Sequence, residues 1–262
     1  VVRPAVRLVK LGFRVVRMNL RGAGLGFALA RHTYHSGRSE DVRAVAAWMV
    51  ARSPGSPLAL VGFSLGGNLV LKLAAEAADE PVPSLDCVLA ANPPIDLSAS
   101  CRFIRRPGAR VYDRNFVRLL RSMVERHHAA FPDLRPVDLR RVRSVYEFDE
   151  VYTAPRHGFA GAEDYYARSS AGPRLARITV SGLVVHAEDD PFIPSVSFRQ
   201  VEFPARLTLE LTRSGGHLGY VSKHRWGSDR RWLDARLAAW LAAHWGERHD
   251  FPECPTRGLH PK

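Results

Sequence analysis

Along the chain, short continuous apolar runs alternate with stretches whose apolar residues recur at helical spacing. The runs at Phe13 to Met18, Pro57 to Val61, Leu85 to Ala91, Ile178 to His186 and Arg206 to Thr212 read as buried strands. Between them, Ala5 to Leu11 reads as the end of a helix closed by Gly12. Ser39 is placed to cap a second helix, with Glu40 and Asp41 in its first turn, with Val42, Val45, Trp48 and Met49 on one face, and with Pro54 and Gly55 to stop it. Asn68 to Ala78 is rich in good helix formers, and Arg230 to Trp245 reads as a closing amphipathic helix. Strands that alternate with helices in this way predict a parallel sheet covered on both faces.

The rhythm breaks from Asp96 to Ala162. That stretch reads as helical, Asn115 to Ala130 most clearly, and no strand follows until Ile178. An insertion between two core strands is expected to cover the sheet's ligand edge as a lid, shaping a pocket and excluding water. The expected organisation is a core of residues 1–95 and 163–245, a helical lid of 96–162, and a loose tail of 246–262 that holds three prolines.

Composition narrows the class without changing that picture. At 262 residues, 46% hydrophobic and 24% charged, the chain suffices for one large domain with a single core. No apolar run is long enough to span a bilayer, and Arg3, Arg7 and Lys10 interrupt the start where a secretory signal would be apolar. Cys87, Cys101 and Cys254 are widely spaced and lack a metal-ligand pattern, so a reducing cytoplasm is the expected location. The net charge of +12 is uneven: Cys101 to Arg143 holds twelve arginines against Asp113, Glu125, Asp133 and Asp138. With no nucleic-acid module or stacking-aromatic pattern beside them, these arginines read as a solvated surface and no specific nucleic-acid partner is expected. Binding of an acidic polymer, steeply salt-dependent, is the alternative reading.

The chemistry concentrates at Gly62-Phe63-Ser64-Leu65-Gly66, a G-x-S-x-G pentapeptide between a strand and a helix. A chain reversing there holds Ser64 in a strained conformation, and Gly62 and Gly66 remove the Cβ atoms that would collide. Leu65 then offers its backbone N–H at a helix start, where negative charge is favoured. A nucleophilic serine needs a base, and the base needs an orienting acid. Asp189 and Asp190 end one buried strand in an acidic turn, and His217 follows the next strand on the Gly215-Gly216 loop. Either aspartate could accept the imidazole Nδ1 proton; Asp190 is preferred for its Asp-x-x-x-Pro spacing to Pro194. The expected catalytic set is Ser64, His217 and Asp190, with Leu65 as oxyanion donor. Other patterns fail on spacing. In Gly22-Ala23-Gly24-Leu25-Gly26 the third glycine falls one residue early for a dinucleotide loop, and His32, His35, His127 and His128 lack the carboxylate or cysteine partners of a metal site.

The chain resembles the YheT-like α/β-hydrolases through Asn19-Leu20-Arg21-Gly22, Thr33-Tyr34-His35-Ser36-Gly37, Gly62 to Asn68, Phe148-Asp149-Glu150, His157-Gly158-Phe159, Asp164-Tyr165-Tyr166, His186 to Pro194 and Gly215 to Tyr220. The resemblance implies an α/β-hydrolase fold and a triad-dependent carboxylic ester hydrolase, without metal or cofactor, acting on small-molecule or lipid-like esters. It also implies strands ahead of the Ala5 to Leu11 helix and a His-Gly loop giving a second oxyanion N–H. The sequence given has neither, so it is expected to be an N-terminally truncated member. Two central strands would then lose their ladder partner or pair directly, and loss of one oxyanion donor would cost about a hundredfold to a thousandfold in turnover. A catalytically impaired binding protein of the same fold is the reading that competes.

Overall fold

The computed structural model describes residues 1–226 and 229–246, with the backbone alone for 223–226 and 229. Residues 247–262, which hold Cys254 and nearly all of the expected tail, lie outside the described set. In chain order the elements are α1 (Val2–Lys10), α2 (Ser39–Arg52), β1 (Leu58–Phe63), α3 (Leu65–Glu76), β2 (Leu85–Ala91), α4 (Leu97–Ile104), α5 (Arg110–Ala130), α6 (Val145–Phe148), α7 (Ala154–Arg156), α8 (Ala162–Ser169), β3 (Ser181–Ala187), α9 (Val196–Arg199), β4 (Leu207–Thr212), β5 (Val221–Trp226), β6 (Asp229–Arg231) and α10 (Trp232–Gly246).

β1 to β4 form one parallel sheet in that order. The period of two along β2 and β3 sorts their side chains onto two faces. Val88, Ala90 and Val184 pack with Leu69, Leu73 and Ala46 of α3 and α2. Leu89, Leu183 and Val185 pack with Leu237 and Leu241 of α10 and Leu8 of α1. The strands read as continuous apolar runs because both faces are covered. Truncating a fully buried leucine such as Leu89 or Leu183 to alanine removes its transfer energy and leaves a cavity, a cost of about 2–5 kcal/mol.

Three features depart from the expectation. Phe13 to Met18 forms no strand. Phe13 and Val15 pack on the α10 side and Met18 on the α3 side, so the segment alternates as a strand does, yet it joins no ladder. Apolar alternation records which faces are buried; a strand also needs a neighbouring edge, and in the described sheet β1 pairs with β2 alone. Ser39 does not cap α2, whose N-cap is Arg38. Instead its hydroxyl donates to Glu76 Oε2 at 2.6 Å and accepts from Lys72 Nζ at 2.9 Å, tying α2 to α3. The β5–β6 hairpin is a pairing the apolar pattern did not mark. Between Leu97 and Ser169 the regular elements are all helices, interrupted by an irregular stretch over 131–144, with small cores of their own: Val117, Val124, Phe148 and Tyr152 in one, and Leu97, Tyr165 and Tyr166 in another.

Candidate active site

The turn from β1 into α3 is built by what Gly62 lacks. A Cβ there would strike the carbonyl of Gly66 and the amide of Gly67, all backbone. Gly62→Ala is therefore expected to destabilise the fold by about 1–3 kcal/mol, since no side chain can move aside; an unchanged denaturation midpoint would contradict this close approach. The tight passage leaves Ser64 at φ 50° and ψ −124°, outside the regions that side chains favour. It is held there by its N–H donating to Ala91 O at 2.8 Å and its carbonyl accepting from Gly67 N–H at 2.8 Å. Leu65 is the first residue of α3, where amide N–H groups have no intrahelical partner.

His217 reaches Ser64 from the loop after β4. Its Nε2 lies 2.9 Å from Ser64 Oγ, and its Nδ1 lies 2.8 Å from Asp190 Oδ2. The loop is pinned from below by Asp189, whose Oδ1 accepts the N–H groups of Gly215 and Gly216 at 2.9 and 2.8 Å. The two adjacent aspartates thus hold different things: Asp190 the ring, Asp189 the backbone that carries it. Phe192 stands edge-on to the imidazole at 4.7 Å between centroids.

Asp190 is 2% exposed. Its Oδ2 accepts from Asn92 Nδ2 at 2.5 Å, and its Oδ1 accepts the N–H of Phe192 at 2.8 Å and of Ile193 at 3.2 Å. Burial alone would raise this carboxyl; the hydrogen bonds from His217, Asn92 and Phe192 outweigh it and hold the group below its usual range. Tyr220 O–H donates to Asn92 Oδ1 at 2.5 Å, so the amide is fixed with its NH2 toward the carboxylate. Asn92 itself has φ 46° at the end of β2, a left-handed conformation that Asn tolerates better than most residues. Sequence reasoning missed Asn92 as a partner of Asp190, and Tyr220 as the group that fixes Asn92. The signal available was Asn92 before Pro93-Pro94 at a strand end and Tyr220 three residues after His217. His186 lies on β3 just before this turn, stacked on Phe198 at 4.2 Å, and burial holds its ring down at about 4, neutral.

Ser64, Leu65 and His217 open onto a cavity of about 760 Å³. Its wall is largely apolar, with Leu97 and Ile104 from α4, Phe116 and Leu120 from α5, and Phe148 from α6. Asp149 interrupts that wall: buried, it accepts from Tyr166 O–H at 2.7 Å, and burial pushes its carboxyl up to about 6. A raised carboxyl pKa favours the fold below the unfolded value of 3.8, and that advantage is lost as pH rises through about 6. Asp149→Asn is thus expected to flatten the loss of stability between about pH 4 and 6, a difference of about 3 kcal/mol. Chemical denaturation of both chains at those pH values checks it, and parallel pH dependences would refute it.

Motifs 129 residues apart meet behind the serine. Tyr165 O–H donates to Ser36 Oγ at 2.7 Å and accepts the Ser36 N–H at 2.8 Å. Asn68 on α3 donates to the carbonyls of Ser36 and Ser169, both at 2.9 Å. His35 accepts the Gly37 N–H on Nδ1 at 3.1 Å, and burial pushes its ring down to about 3. Among the described residues, Asp86, Cys87 and His244 lie close enough together to share a metal ion, at the far end of β2 from Asn92. There Asp86 Oδ2 accepts from His244 Nε2 at 2.8 Å and Trp245 Nε1 at 2.6 Å.

A parallel sheet wrapped by helices, with a strained serine on a strand-to-helix turn and an imidazole from the loop after a later strand, is the architecture of one fold family. The chain belongs to the α/β-hydrolase fold family, whose profile matches residues 4–223. Within that family it is YheT-like: it is 35% identical over 243 residues to YheT of Escherichia coli (strain K12), whose name calls it an esterase, covering 90% of this chain and 69% of YheT. It is 29% identical over 262 residues to the monoacylglycerol lipase of Saccharomyces cerevisiae, covering 96% of this chain and 56% of the lipase. The chain thus spans between about half and two thirds of the length of these relatives. Among solved structures, the Pyrococcus furiosus esterase Pf2001 superposes with a TM-score of 0.53 at 16% identity, over 94% of this chain and 75% of that one, a likeness of fold. Among the described residues no helix is long and apolar enough to cross a membrane.

Proposed function

We propose that the protein is a serine hydrolase of carboxylic esters. His217 takes the Ser64 proton through Nε2 as Ser64 Oγ attacks the ester carbonyl, and the Leu65 N–H stabilises the oxyanion. His217 then protonates the departing alcohol and afterwards activates the water that cleaves the acyl-enzyme. Asp190 holds the imidazole with its proton on Nδ1 and favours its charged form. The helices between β2 and β3 act as the lid of the site, and the cavity they share with Ser64 receives the acyl chain of a lipid-like ester. One observation carries this reading: the hydrogen-bonded chain from Ser64 Oγ through both nitrogens of His217 to Asp190, at 2.9 and 2.8 Å, opens onto an apolar cavity. The esterase and lipase names of the relatives support the same chemistry.

The test is covalent labelling by a fluorophosphonate, followed by hydrolysis of p-nitrophenyl esters of graded chain length. Stoichiometric modification of Ser64 and a preference for acyl chains longer than acetyl are expected. A chain that neither labels nor hydrolyses any ester of the series is a binding scaffold, and the proposal fails.

A further inference from the structure

From Val145 to Arg156 the chain is one helical stretch in which Asp149–Thr153 widens into a π turn, a feature that recurs at functional sites. Val145, Phe148, Asp149, Tyr152 and Thr153 fall at the i, i+3, i+4, i+7, i+8 spacing of one helix face, and all of them line the cavity that opens at Ser64. A carboxylate is out of place on that face. A buried charge is costly unless it is paired, and among the described residues Asp149 stands in no ion pair. Its partners are two neutral hydroxyls, those of Tyr166 and Thr153, which only partly offset the effect of burial.

An ionised carboxylate has about four acceptor sites, so two hydroxyls leave it room for a donor that arrives through the cavity. The polar spot stands next to the reacting end. Tyr34 lines the same cavity, and burial and then the charge of Asp149 raise its hydroxyl, which puts the two within electrostatic reach. Two residues on, Ser36 lines the cavity with Ser64 and is held by Tyr165, the neighbour of Tyr166. The charges of the cavity select the kind of donor. An anionic guest is repelled by Asp149, and a cationic one must pass Arg126, which is exposed where it lines the cavity. A purely apolar chain would lie against the carboxylate and leave it short of donors. A neutral hydroxyl meets neither objection.

We infer that Asp149 is a specificity residue: its carboxylate, in the wall of the acyl cavity beside Tyr166, accepts a hydrogen bond from a hydroxyl carried on the acyl chain, so that hydroxyacyl esters are the preferred substrates. The inference rests on the proposed ester chemistry and deepens it by naming the acyl group, and its first test needs no hydrolysis. The Ser64→Ala chain is titrated calorimetrically with methyl octanoate and with methyl octanoates bearing one hydroxyl at successive carbons. A hydrogen bond to a charged group outweighs the desolvation of one hydroxyl, so the ester with its hydroxyl at the matching carbon is expected to bind at least about tenfold more tightly than the plain ester.

Added to that chain, Asp149→Leu is expected to reverse the preference in favour of the plain ester, and Asp149→Asn, which keeps one acceptor oxygen, to retain a smaller part of it. In the leucine variant the Tyr166 hydroxyl keeps Cys101 Sγ as a neighbour at 3.3 Å. With Ser64 intact, the hydroxylated ester is expected to gain mainly through a lower KM, because its hydroxyl is held equally in the bound ester and in the transition state. Binding of every hydroxylated ester no tighter than methyl octanoate overturns the inference, as does a leucine variant that keeps the parent preference. Tighter binding of an ester that carries an amine in place of the hydroxyl also overturns it, and makes Asp149 a reader of cations. Hydrolysis of all the esters without preference refutes the subsite and leaves the ester chemistry standing, whereas hydroxyl-selective binding without hydrolysis supports the subsite and refutes the ester chemistry.

Discussion

Ser64→Ala is expected to lower kcat for p-nitrophenyl esters by about 10⁴-fold to 10⁶-fold, the range seen when a nucleophile is removed from a set that works as one unit. The Oγ at this position is the atom that His217 Nε2 meets at 2.9 Å, and the alanine chain has no oxygen to replace it. The fold is expected to survive. Ser64 N–H and C=O make the turn's hydrogen bonds, and alanine keeps both. Ser64→Gly separates chemistry from architecture further. Glycine adopts the φ of 50° without a Cβ penalty, so this variant is expected to be equally inactive and more stable by about 1 kcal/mol. Retention of more than a tenth of the parent turnover in either variant would remove Ser64 from the proposed mechanism.

Much of this site was legible in the sequence because its parts are local or ordered along the chain. The pentapeptide around Ser64 is a short-range steric requirement, and strand ends at Ala187 and Thr212 put Asp190 and His217 on the edge of the sheet where Ser64 sits. What was not legible depends on distance in space. Asp189 and Asp190 are adjacent and chemically identical, so only the fold assigns one to the glycine-loop amides and the other to the imidazole. Asn92 and Tyr220 stand 128 residues apart and meet through one hydrogen bond. Ser39 has the right side chain for an N-cap, yet Lys72 and Glu76 on α3 give its hydroxyl stronger charged partners. Phe13 to Met18 shows the converse limit: alternation is a property of one segment, whereas a ladder belongs to two.

Asp190→Asn tests the orienting role at a position where shape is nearly conserved. The carboxylate accepts from His217, Asn92, Phe192 and Ile193, and a carboxamide retains only one acceptor oxygen. The Phe192 and Ile193 amides are fixed donors, so the oxygen turns toward them and the new NH2 faces the imidazole and Asn92. Facing that donor, His217 accepts on Nδ1 and carries its proton on Nε2, the tautomer that cannot take a proton from Ser64. A fall in kcat of about 10⁴-fold is expected at neutral pH, with KM little changed, because the cavity wall is untouched.

The same substitution has a separate signature in stability. A carboxyl held below its unfolded value stabilises the fold fully above that value, and the contribution is lost as pH falls through the folded pKa. Asp190→Asn is therefore expected to remove part of the acid sensitivity below about pH 4, while leaving a chain weakened at all pH values by the amide now facing Asn92. Asp189→Asn provides the contrast: it keeps an acceptor for the Gly215 and Gly216 amides, is exposed, and leaves the imidazole tautomer alone, so turnover is expected to fall less than about tenfold. If the Asp189 variant lost more turnover than the Asp190 variant, the loop rather than the ring would be the element that limits catalysis, and the orienting role proposed for Asp190 would be withdrawn.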